Sequence, residues 1–333
     1  MRMIRVAIFG FGNVGRGVAR ALTNNRELIE KKIGKFEVVA IADSKSSIHG
    51  DIDLKYAVEY KLRHGRLPGD MKADELMENV EFDLLIDTTP TDVFTGEPGL
   101  SYIKQALSMG RDVITSSKGP LVVAFRELFR LAEKNGARMG YEATVGGAMP
   151  VVKLIKRELA GNQIFRLRGI LNGTTNYILS RMEREKMPYS QILSEAQELG
   201  IAEANPEYDV KGYDAGAKLV ILANTAFSFD AKFSSVRIVG IEDITPEAFE
   251  VAGEKGYTIR LVAEADSRGK LEVSPRLIKV TNPLAIYGTL NALLVETDLA
   301  GEVFVIGKGA GDRETASAII SDMVDIYGRD NGH

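Results

Sequence analysis

The sequence contains no cysteine, so disulfides, thiolate metal sites and thiol nucleophiles are all excluded. An aldehyde dehydrogenase that acts through a thiohemiacetal is therefore excluded as well. Histidine is scarce too: the chain has His49, His64 and His333, and none of them lies in its middle. We therefore expect Lys, Asp, Glu or Tyr, rather than a central histidine, to carry out any proton transfer.

Long apolar runs and clusters of basic residues are also missing. No run approaches the ~20 apolar residues that cross a bilayer, and the start, MRMIRVAIFGFGN, lacks a signal-peptide cleavage pattern. The net charge of −4 and the lack of a Lys/Arg block do not indicate a surface that binds nucleic acid. These features predict a cytoplasmic protein without membrane or nucleic-acid partners, and 333 residues are enough for two domains.

A glycine-rich turn, GFGNVG, lies between two predicted strands near the start of the chain. RVAIF (5–9) and FEVVAIA (36–42) predict the strands, with a helix over about 14–22 between them. In this setting Gly10 permits a tight turn, Gly12 lets the backbone approach a pyrophosphate, and Gly15 allows close packing of helix on strand. A turn without a ligand is the alternative. The pattern favours a Rossmann-type nucleotide site formed by Gly10, Phe11, Gly12, Asn13, Val14 and Gly15.

The choice between NAD and NADP depends on the end of the second strand. Asp43 stands where an acid would hold a ribose 2′-hydroxyl and favour NAD, whereas Ser44 and Lys45 could hold a 2′-phosphate instead. The sequence leaves both open, and Asp43 could also be a simple turn residue. Thr88 and Thr89 follow another predicted strand (81–87), so we expect them to line the cofactor crevice.

The predicted elements divide the chain into two domains. Strands and helices alternate through about residue 143, which indicates a doubly wound, mostly parallel sheet. ATVGGAMP breaks this pattern, and the β-rich segments that follow predict an open mixed sheet in an α+β substrate and dimerisation domain. The last strand, glycine turn and helix return to the first pattern. We therefore predict a dinucleotide-binding domain over 1–145 plus 306–333 and a second domain over 146–305.

The segment GYDAGAKLVILANTAF (212–227) predicts a helix that is buried on most sides, yet it carries Asp214 and Lys218 one turn apart. A buried lysine is rare unless it is paired. From spacing alone, the alternative is an ordinary surface pair worth ~0.2–0.5 kcal/mol. Glu203, Glu207 and Asp209 precede this pair, either as part of an acidic site or as a solvated acidic loop.

Taken together, several motifs resemble homoserine dehydrogenase. They are the GxGxxG opening, TSSKGP, YEATVGGAMPVVK, GILNGTTNYIL, AQELGIAEANPEYDVKGYDAGAKL and GKGAGDRETASAIISDM, and they extend over most of the chain. The resemblance implies the reversible, NAD(P)H-dependent reduction of L-aspartate 4-semialdehyde to L-homoserine in threonine, methionine and isoleucine biosynthesis. The length is similar to that of the short form of the family, so we expect no ACT regulatory domain and no threonine feedback. The mixed sheet is a common platform for dimers, so we expect a homodimer.

The resemblance also implies roles for individual residues. Lys218 matches the acid/base residue and Asp214 its supporting acid, while Lys118 matches a second lysine considered for proton transfer. Substrate contacts are implied at Gly173, Thr174, Glu203, Asp209 and Asp214. Cofactor contacts are implied at Lys118, Gly200 and Glu203. Gly309 and Gly311 either contact the nicotinamide end of the cofactor or pack the last helix. A sodium site is implied at Glu142 and the carbonyls of Val145, Gly147 and Met149; a domain hinge without an ion is the alternative there.

Two other functions fit parts of the sequence. Another amino-acid-pathway NAD(P)H reductase, such as a cyclic-imine reductase, would use the same two-domain plan but would call for a His-rich substrate loop, which the chain lacks. A sensor that binds NAD(P) without turnover would have no need of the Lys218–Asp214 pair. In the segment around Asn172 we expect Thr174 to cap a helix, and in SSKGP we expect Lys118 at the end of a strand.

Overall fold

The computed structural model describes residues 3–328 and divides into two compact units. The second unit is Met149–Ala310, and the first comprises the described residues before and after it. His333 and both ends of the predicted first domain lie outside the described residues. Across the described range no helix is both long and apolar enough to cross a bilayer.

The first unit contains a six-stranded sheet in the order β3-β2-β1-β4-β5-β6. Its strands are β1 (Ile4–Phe9), β2 (Phe36–Ala42), β3 (Ser47–His49), β4 (Leu84–Asp87), β5 (Asp112–Thr115) and β6 (Met139–Gly140). All pairs are parallel except β3 with β2, which is antiparallel. The prediction of a doubly wound, mostly parallel sheet is therefore confirmed.

Seven helices belong to this unit within the described residues. Numbered in chain order, they are α1 (Asn13–Asn24), α2 (Arg26–Ile33), α3 (Leu54–His64), α4 (Ala73–Asn79), α5 (Gly99–Ser108), α6 (Lys118–Lys134) and α13 (Asp312–Tyr327). The late helix α13 packs against α1 and α2, and Ala316, Ile319 and Met323 join the core that also contains Val6 and Ile8. Phe11 of the glycine turn between β1 and α1 belongs to the same core.

The second unit contains a mixed sheet in the order β12-β11-β7-β9-β10-β8. Its strands are β7 (Ile164–Ile170), β8 (Arg237–Ile238), β9 (Tyr257–Asp266), β10 (Leu271–Lys279), β11 (Leu290–Thr297) and β12 (Glu302–Lys308). Only β8 with β10 is parallel, so the predicted open mixed sheet is confirmed. Because β12 pairs with β11 as far as Lys308, residues 306–310 belong to this unit, whereas the predicted domain limit is 305.

Helices cover one face of this second sheet. They are α7 (Val151–Lys153), which continues as a π-helical turn (Leu154–Glu158), α8 (Gly173–Glu185), α9 (Tyr189–Glu198), α10 (Glu207–Val210), α11 (Tyr213–Phe227) and α12 (Pro246–Glu254). Of these, α8, α11 and α12 contact β9. Helix α11 is buried from Asp214 through Asn224, as its apolar sequence predicts. The charged pair at its start is therefore placed in a protein interior.

Candidate active site

The three glycines of the turn differ in what surrounds them. A Cβ atom on Gly10 would lie 2.4 Å from the carbonyl of Thr88, and one on Gly15 would lie 2.1 Å from the Gly10 oxygen. Packing alone therefore requires glycine at those two positions. A Cβ on Gly12 would meet no heavy atom within 4 Å. Open space at Gly12 fits a bound group that approaches the backbone from outside.

The start of α1 presents backbone N–H groups rather than side chains. No side chain caps the helix at Gly12, and its first turn has no acidic residue. The Phe11 side chain is buried in the core, Val14 packs against that core, and the Asn13 amide oxygen accepts a hydrogen bond from Arg16 at 2.7 Å. The free backbone donors and the helix dipole at this end suit a pyrophosphate.

The Asp43 carboxylate at the end of β2 is already fully engaged. Oδ1 accepts hydrogen bonds from the Lys45 N–H, the Ser46 N–H and the Ser46 hydroxyl, each at 2.8 Å, and Oδ2 accepts one from Lys61. Burial on its own would raise the pKa of Asp43, but the hydrogen bonds from Lys61 and the turn together lower it. Ser44 and Lys45 themselves are exposed. A ribose hydroxyl would have to compete for Asp43, whereas a 2′-phosphate would meet exposed donors.

Both threonines after β4 bond to neighbouring protein groups. The Thr88 hydroxyl donates to the Gly10 carbonyl at 2.5 Å, and the Thr89 hydroxyl donates to Asp87 at 2.6 Å. Asp87 is fully buried and also accepts from Thr115, so burial raises the pKa of its carboxyl against the effect of these hydrogen bonds. These hydroxyls brace the glycine turn and the strand ends.

Lys118 begins helix α6 rather than ending a strand, so that detail of the prediction was wrong. Strand β5 ends at Thr115, Ser117 precedes the helix, and the Lys118 N–H donates to Thr91 at 3.3 Å. The side chain of Lys118 is half-buried. It belongs to the first unit, whereas Lys218 belongs to the second.

The residues predicted to hold sodium supply oxygen ligands only. Glu142 starts a 3₁₀ turn (Glu142–Thr144), is 2% exposed, and its N–H donates to Asp322 at 2.9 Å. Val145 and Gly147 follow in the first unit, and Met149 is the first residue of the second. One carboxylate and three carbonyls suit a hard cation. No group of three or more His, Asp or Glu side chains suited to a metal occurs within residues 3–328.

Lys218 and Asp214 form a buried ion pair on α11. The Lys218 Nζ donates to Asp214 Oδ2 at 2.7 Å and to the Leu171 carbonyl at 2.6 Å, and both charged side chains are 9% exposed. An ammonium has three N–H groups, and these are its two acceptors among residues 3–328. Such a pair differs from a surface i,i+4 pair because solvent does not screen it.

A second carboxylate joins this pair through Asn172. The Asn172 amide donates to Asp209 Oδ1 at 2.7 Å and to Asp214 Oδ2 at 2.9 Å. Burial, and then the charge of Asp214, raise the pKa of Asp209. A hydrogen bond from Asn172 and the charge of Lys218 oppose that rise. Two carboxylates around one ammonium leave net negative charge, which suits a substrate with an ammonium group.

The helix that starts beside this cluster is capped by Asn172. Helix α8 begins at Gly173, and the Asn172 Oδ1 accepts the Thr175 N–H at 2.8 Å. The prediction that Thr174 is the cap was therefore wrong: Thr174 lies inside the helix and its hydroxyl donates to the Ile201 carbonyl at 3.2 Å. A Cβ on Gly173 would lie 2.7 Å from the Thr289 oxygen, so a larger residue would not fit there.

The structure does not bring all the predicted acids together. Glu203 is exposed, and its backbone carbonyl accepts a hydrogen bond from the Gln197 amide at 3.1 Å. Glu207 pairs with Lys211 on the surface. Gly200 is exposed after α9. Among the acids of this loop, Asp209 therefore joins Asp214 through Asn172, whereas Glu207 pairs with Lys211 and Glu203 is exposed.

The late glycines fall in different units. Gly309 belongs to the second unit, where a Cβ would overlap the Asn291 side chain, and Gly311 belongs to the first, directly before α13. Close packing therefore accounts for glycine at position 309 without a ligand.

The sequence did not reveal two groups around Lys218: the Leu171 carbonyl that accepts its hydrogen bond, and the Asn172 amide that connects the two acids. The Leu171 carbonyl is a backbone group, which no residue pattern reveals. Asn172 had a signal, since Asn ranks above Thr as an N-cap and precedes the glycine that starts the helix. Lys61 had none, because it reaches Asp43 from a helix 18 positions along the chain.

Comparisons with known proteins agree with this geometry. A family model described as "Homoserine dehydrogenase, NAD binding domain" matches residues 10–142, and one described as "Homoserine dehydrogenase" matches residues 150–324. A homoserine dehydrogenase of Methanocaldococcus jannaschii is 43% identical over 330 residues, which cover 97% of this chain and 98% of the relative. The chain belongs to the homoserine dehydrogenase family. Members of this family are NAD(P)-dependent oxidoreductases, so the first unit is an NAD-binding, Rossmann-like domain.

Other members of the homoserine dehydrogenase family show the same similarity. The Helicobacter pylori enzyme is 36% identical, covering 98% of this chain and 74% of the relative. A solved structure of a putative homoserine dehydrogenase from Archaeoglobus fulgidus superposes with a TM-score of 0.94 at 56% identity, covering 98% of this chain and 100% of the other. A hyperthermophilic archaeal homoserine dehydrogenase in complex with NADPH gives a TM-score of 0.86 at 30% identity, covering 98% of each chain.

Proposed function

We propose that this protein catalyses the reversible reduction of L-aspartate 4-semialdehyde to L-homoserine, in the route to threonine, methionine and isoleucine. The observation that carries the proposal is the Lys218 ammonium, buried with Asp214 and joined through Asn172 to Asp209. Bound NAD(P)H supplies the hydride. Lys218 gives a proton to the aldehyde oxygen as negative charge develops there, and takes it back in the oxidation.

The remaining groups of the cluster bind the amino-acid end of the substrate. Asp209 and Asp214 accept its ammonium, which neutralises the excess negative charge around Lys218. The backbone N–H groups of Gly173 and Thr174 at the start of α8 receive its carboxylate, since the Asn172 side chain caps only the Thr175 N–H. We also assign a substrate contact to Glu203, which lies on a loop.

A purified-protein assay tests this function. NAD(P)H absorbance is expected to fall on addition of L-aspartate 4-semialdehyde and to stay constant with cyclic imines. Consumption with cyclic imines alone would identify a different reductase of this fold. NAD(P)H binding without consumption of either substrate would identify a sensor.

The start of α1 holds the cofactor pyrophosphate, and the surroundings of Asp43 favour NADP over NAD. The engaged carboxylate of Asp43 and the exposed donors of Ser44 and Lys45 support this choice. Lys45→Ala is expected to raise KM for NADP about 10-fold, because the variant loses one exposed contact with the 2′-phosphate. KM for NAD is expected to change less than about twofold. Steady-state kinetics with both cofactors measure this. Lys31→Ala, an exposed lysine on α2, serves as the control, and equal effects on both cofactors would contradict the assignment.

A second copy of the chain covers the exposed part of the second sheet at β12. Leu261 faces α11, so Val262 points to the opposite face, where it clusters with Leu294. On that face Phe304 is half-buried and Ile306 is 46% exposed, an apolar surface suited to a homodimer. Sedimentation of the purified chain as a dimer would support this arrangement, and a monomer would contradict it.

Two further assignments complete the proposal. Sodium bound by Glu142, Val145, Gly147 and Met149 would fix the course of the backbone there, and the buried carboxylate of Glu142 supports an ion at this position. A cytoplasmic location matches the supply of NAD(P)H and amino-acid precursors.

A further inference from the structure

We propose that Asn172 is a positioning residue of the reaction: its amide group holds the Asp209 and Asp214 carboxylates together so that both acids and Lys218 serve one substrate. This inference rests on the proposed function. It concerns a side chain that contacts two of the assigned site residues and is itself 5% exposed.

The hydrogen bonds of Asn172 use its whole side chain. The amide nitrogen has two N–H groups, and they go to Asp209 and Asp214; the amide oxygen accepts the Thr175 N–H at the start of α8. A flipped amide would set its NH₂ against the Thr175 N–H and its oxygen against two carboxylates. Only one orientation is therefore compatible with these neighbours, and the helix cap fixes it.

Electrostatics explain why a bridge is needed. Asp209 and Asp214 are like charges that share one buried donor group, and the charge of Asp214 helps to raise the pKa of Asp209. One N–H directed to each oxygen offsets that repulsion without adding a charge. Lys218 donates to Asp214, and the Asn172 amide connects Asp209 to this pair.

The bridge also ties the acids to the helix start. Leu171 accepts from Lys218, Asn172 bridges the acids, and Gly173 opens α8. Three consecutive residues thus fix the positions of the ammonium, of both carboxylates and of the helix N–H groups relative to one another. A substrate with an ammonium and a carboxylate needs these groups at a set separation.

Substitutions at position 172 separate bridging from capping. Asp and Ser both cap helices well, so Asn172→Asp and Asn172→Ser keep the cap while removing the two N–H donors. Asn172→Asp also adds a third negative charge. Both variants are expected to keep the NADPH Kd within about twofold of the wild type and to lose about 100-fold in kcat/KM for homoserine, the effect of two hydrogen bonds to charged groups.

The pH profile distinguishes positioning from a structural role. In Asn172→Asp, the acidic limb of kcat/KM is expected to move to higher pH by about one unit or more, because the added carboxylate disfavours ionisation of its neighbours. Loss of a cap alone would not move this limb. Asp53→Ala, which removes the side-chain cap of α3, is the control: it lowers Tm but leaves the limb in place.

The outcomes are distinguishable. A wild-type protein that does not oxidise homoserine overturns the proposed function itself. An active wild type with Asn172→Ser and Asn172→Asp within threefold of its kcat/KM and an unshifted limb overturns the positioning role alone. Should Asn172→Asp fail to fold, Asn172→Ser decides: reduced kcat/KM at unchanged Tm supports the bridge, and wild-type kcat/KM overturns it.

Discussion

Lys218→Ala is expected to lower kcat for homoserine oxidation by about 10²- to 10⁴-fold, the range over which a positioned acid/base group contributes. Its ammonium is the buried proton donor of the cluster, held by Asp214 and the Leu171 carbonyl. NADPH binding is expected to stay within about twofold of the wild type, because the glycine turn belongs to the other unit. Initial rates and a fluorescence titration with NADPH measure the two effects.

Stability has to be separated from catalysis in this variant. Removing Lys218 leaves the buried Asp214 without its cation, which costs about 3–5 kcal/mol in such pairs. The double variant Lys218→Met with Asp214→Asn removes both charges, so we expect it to fold at a Tm closer to that of the wild type and still to lack turnover. A folded double variant without activity would show that the loss of turnover in Lys218→Ala does not come from unfolding.

Two control variants test whether the effect is specific to Lys218. Lys211 and Glu207 form an i,i+4 pair of the same chemistry at 2.7 Å, but both are on the surface. Lys211→Ala is therefore expected to change kcat less than about twofold and stability by less than about 0.5 kcal/mol. Lys118→Ala tests the other candidate lysine. Near-normal kcat in Lys218→Ala, together with a large loss in Lys118→Ala, would transfer the proton-transfer role to Lys118.

Gly12→Ala is expected to weaken NADPH binding by about 100-fold, equivalent to about 2.7 kcal/mol, while leaving Tm at the wild-type value. In the described chain a Cβ at Gly12 meets open space, so the protein itself tolerates the methyl group. A pyrophosphate that approaches the backbone does not tolerate it. NADPH titration and thermal unfolding of the same preparation test both parts.

Gly15→Ala is the matched comparison for that result. Its Cβ would lie 2.1 Å from the Gly10 carbonyl oxygen, so the turn or the helix has to shift. Overpacking of this kind costs about 1–3 kcal/mol, and we expect Tm to fall. A Gly12→Ala variant that binds NADPH as tightly as the wild type would show that the pyrophosphate does not lie on this turn.

More of the secondary structure could be predicted from the sequence in the first unit than in the second. Strand β2 occupies residues 36–42 in both the prediction and the structure, and the glycine turn falls where the motif indicates. The strand predicted over 81–87 begins only at Leu84, and the Asp83 carboxylate just before it accepts the Arg5 N–H. In the second unit, SSVRIVGI yields just Arg237–Ile238, since β8 meets β10 only at one edge. The apolar pattern of a segment does not reveal over how many residues a neighbouring strand pairs with it.

The candidate site shows a similar division. Lys218 and Asp214 were predictable because a charged pair stood out in an apolar helix, and burial of both agrees with that interpretation. The roles of Leu171 and Asn172 depend on tertiary contacts between β7, α8 and α11, which no local pattern encodes. The density of acidic residues along the loop led us to predict Glu203 and Asp209 in one site. In the fold, Asp209 is the one of these two that is connected to Asp214.

Oxidation of L-homoserine that carries deuterium at both hydrogen positions of C4, with NADP as the acceptor, tests the central claim most directly. If the protein removes a hydride from C4 while Lys218 takes the hydroxyl proton, mass spectrometry will find one deuterium in the reduced cofactor and aspartate 4-semialdehyde as the product. Unlabelled reduced cofactor, or none formed at all with either NADP or NAD, would contradict the account.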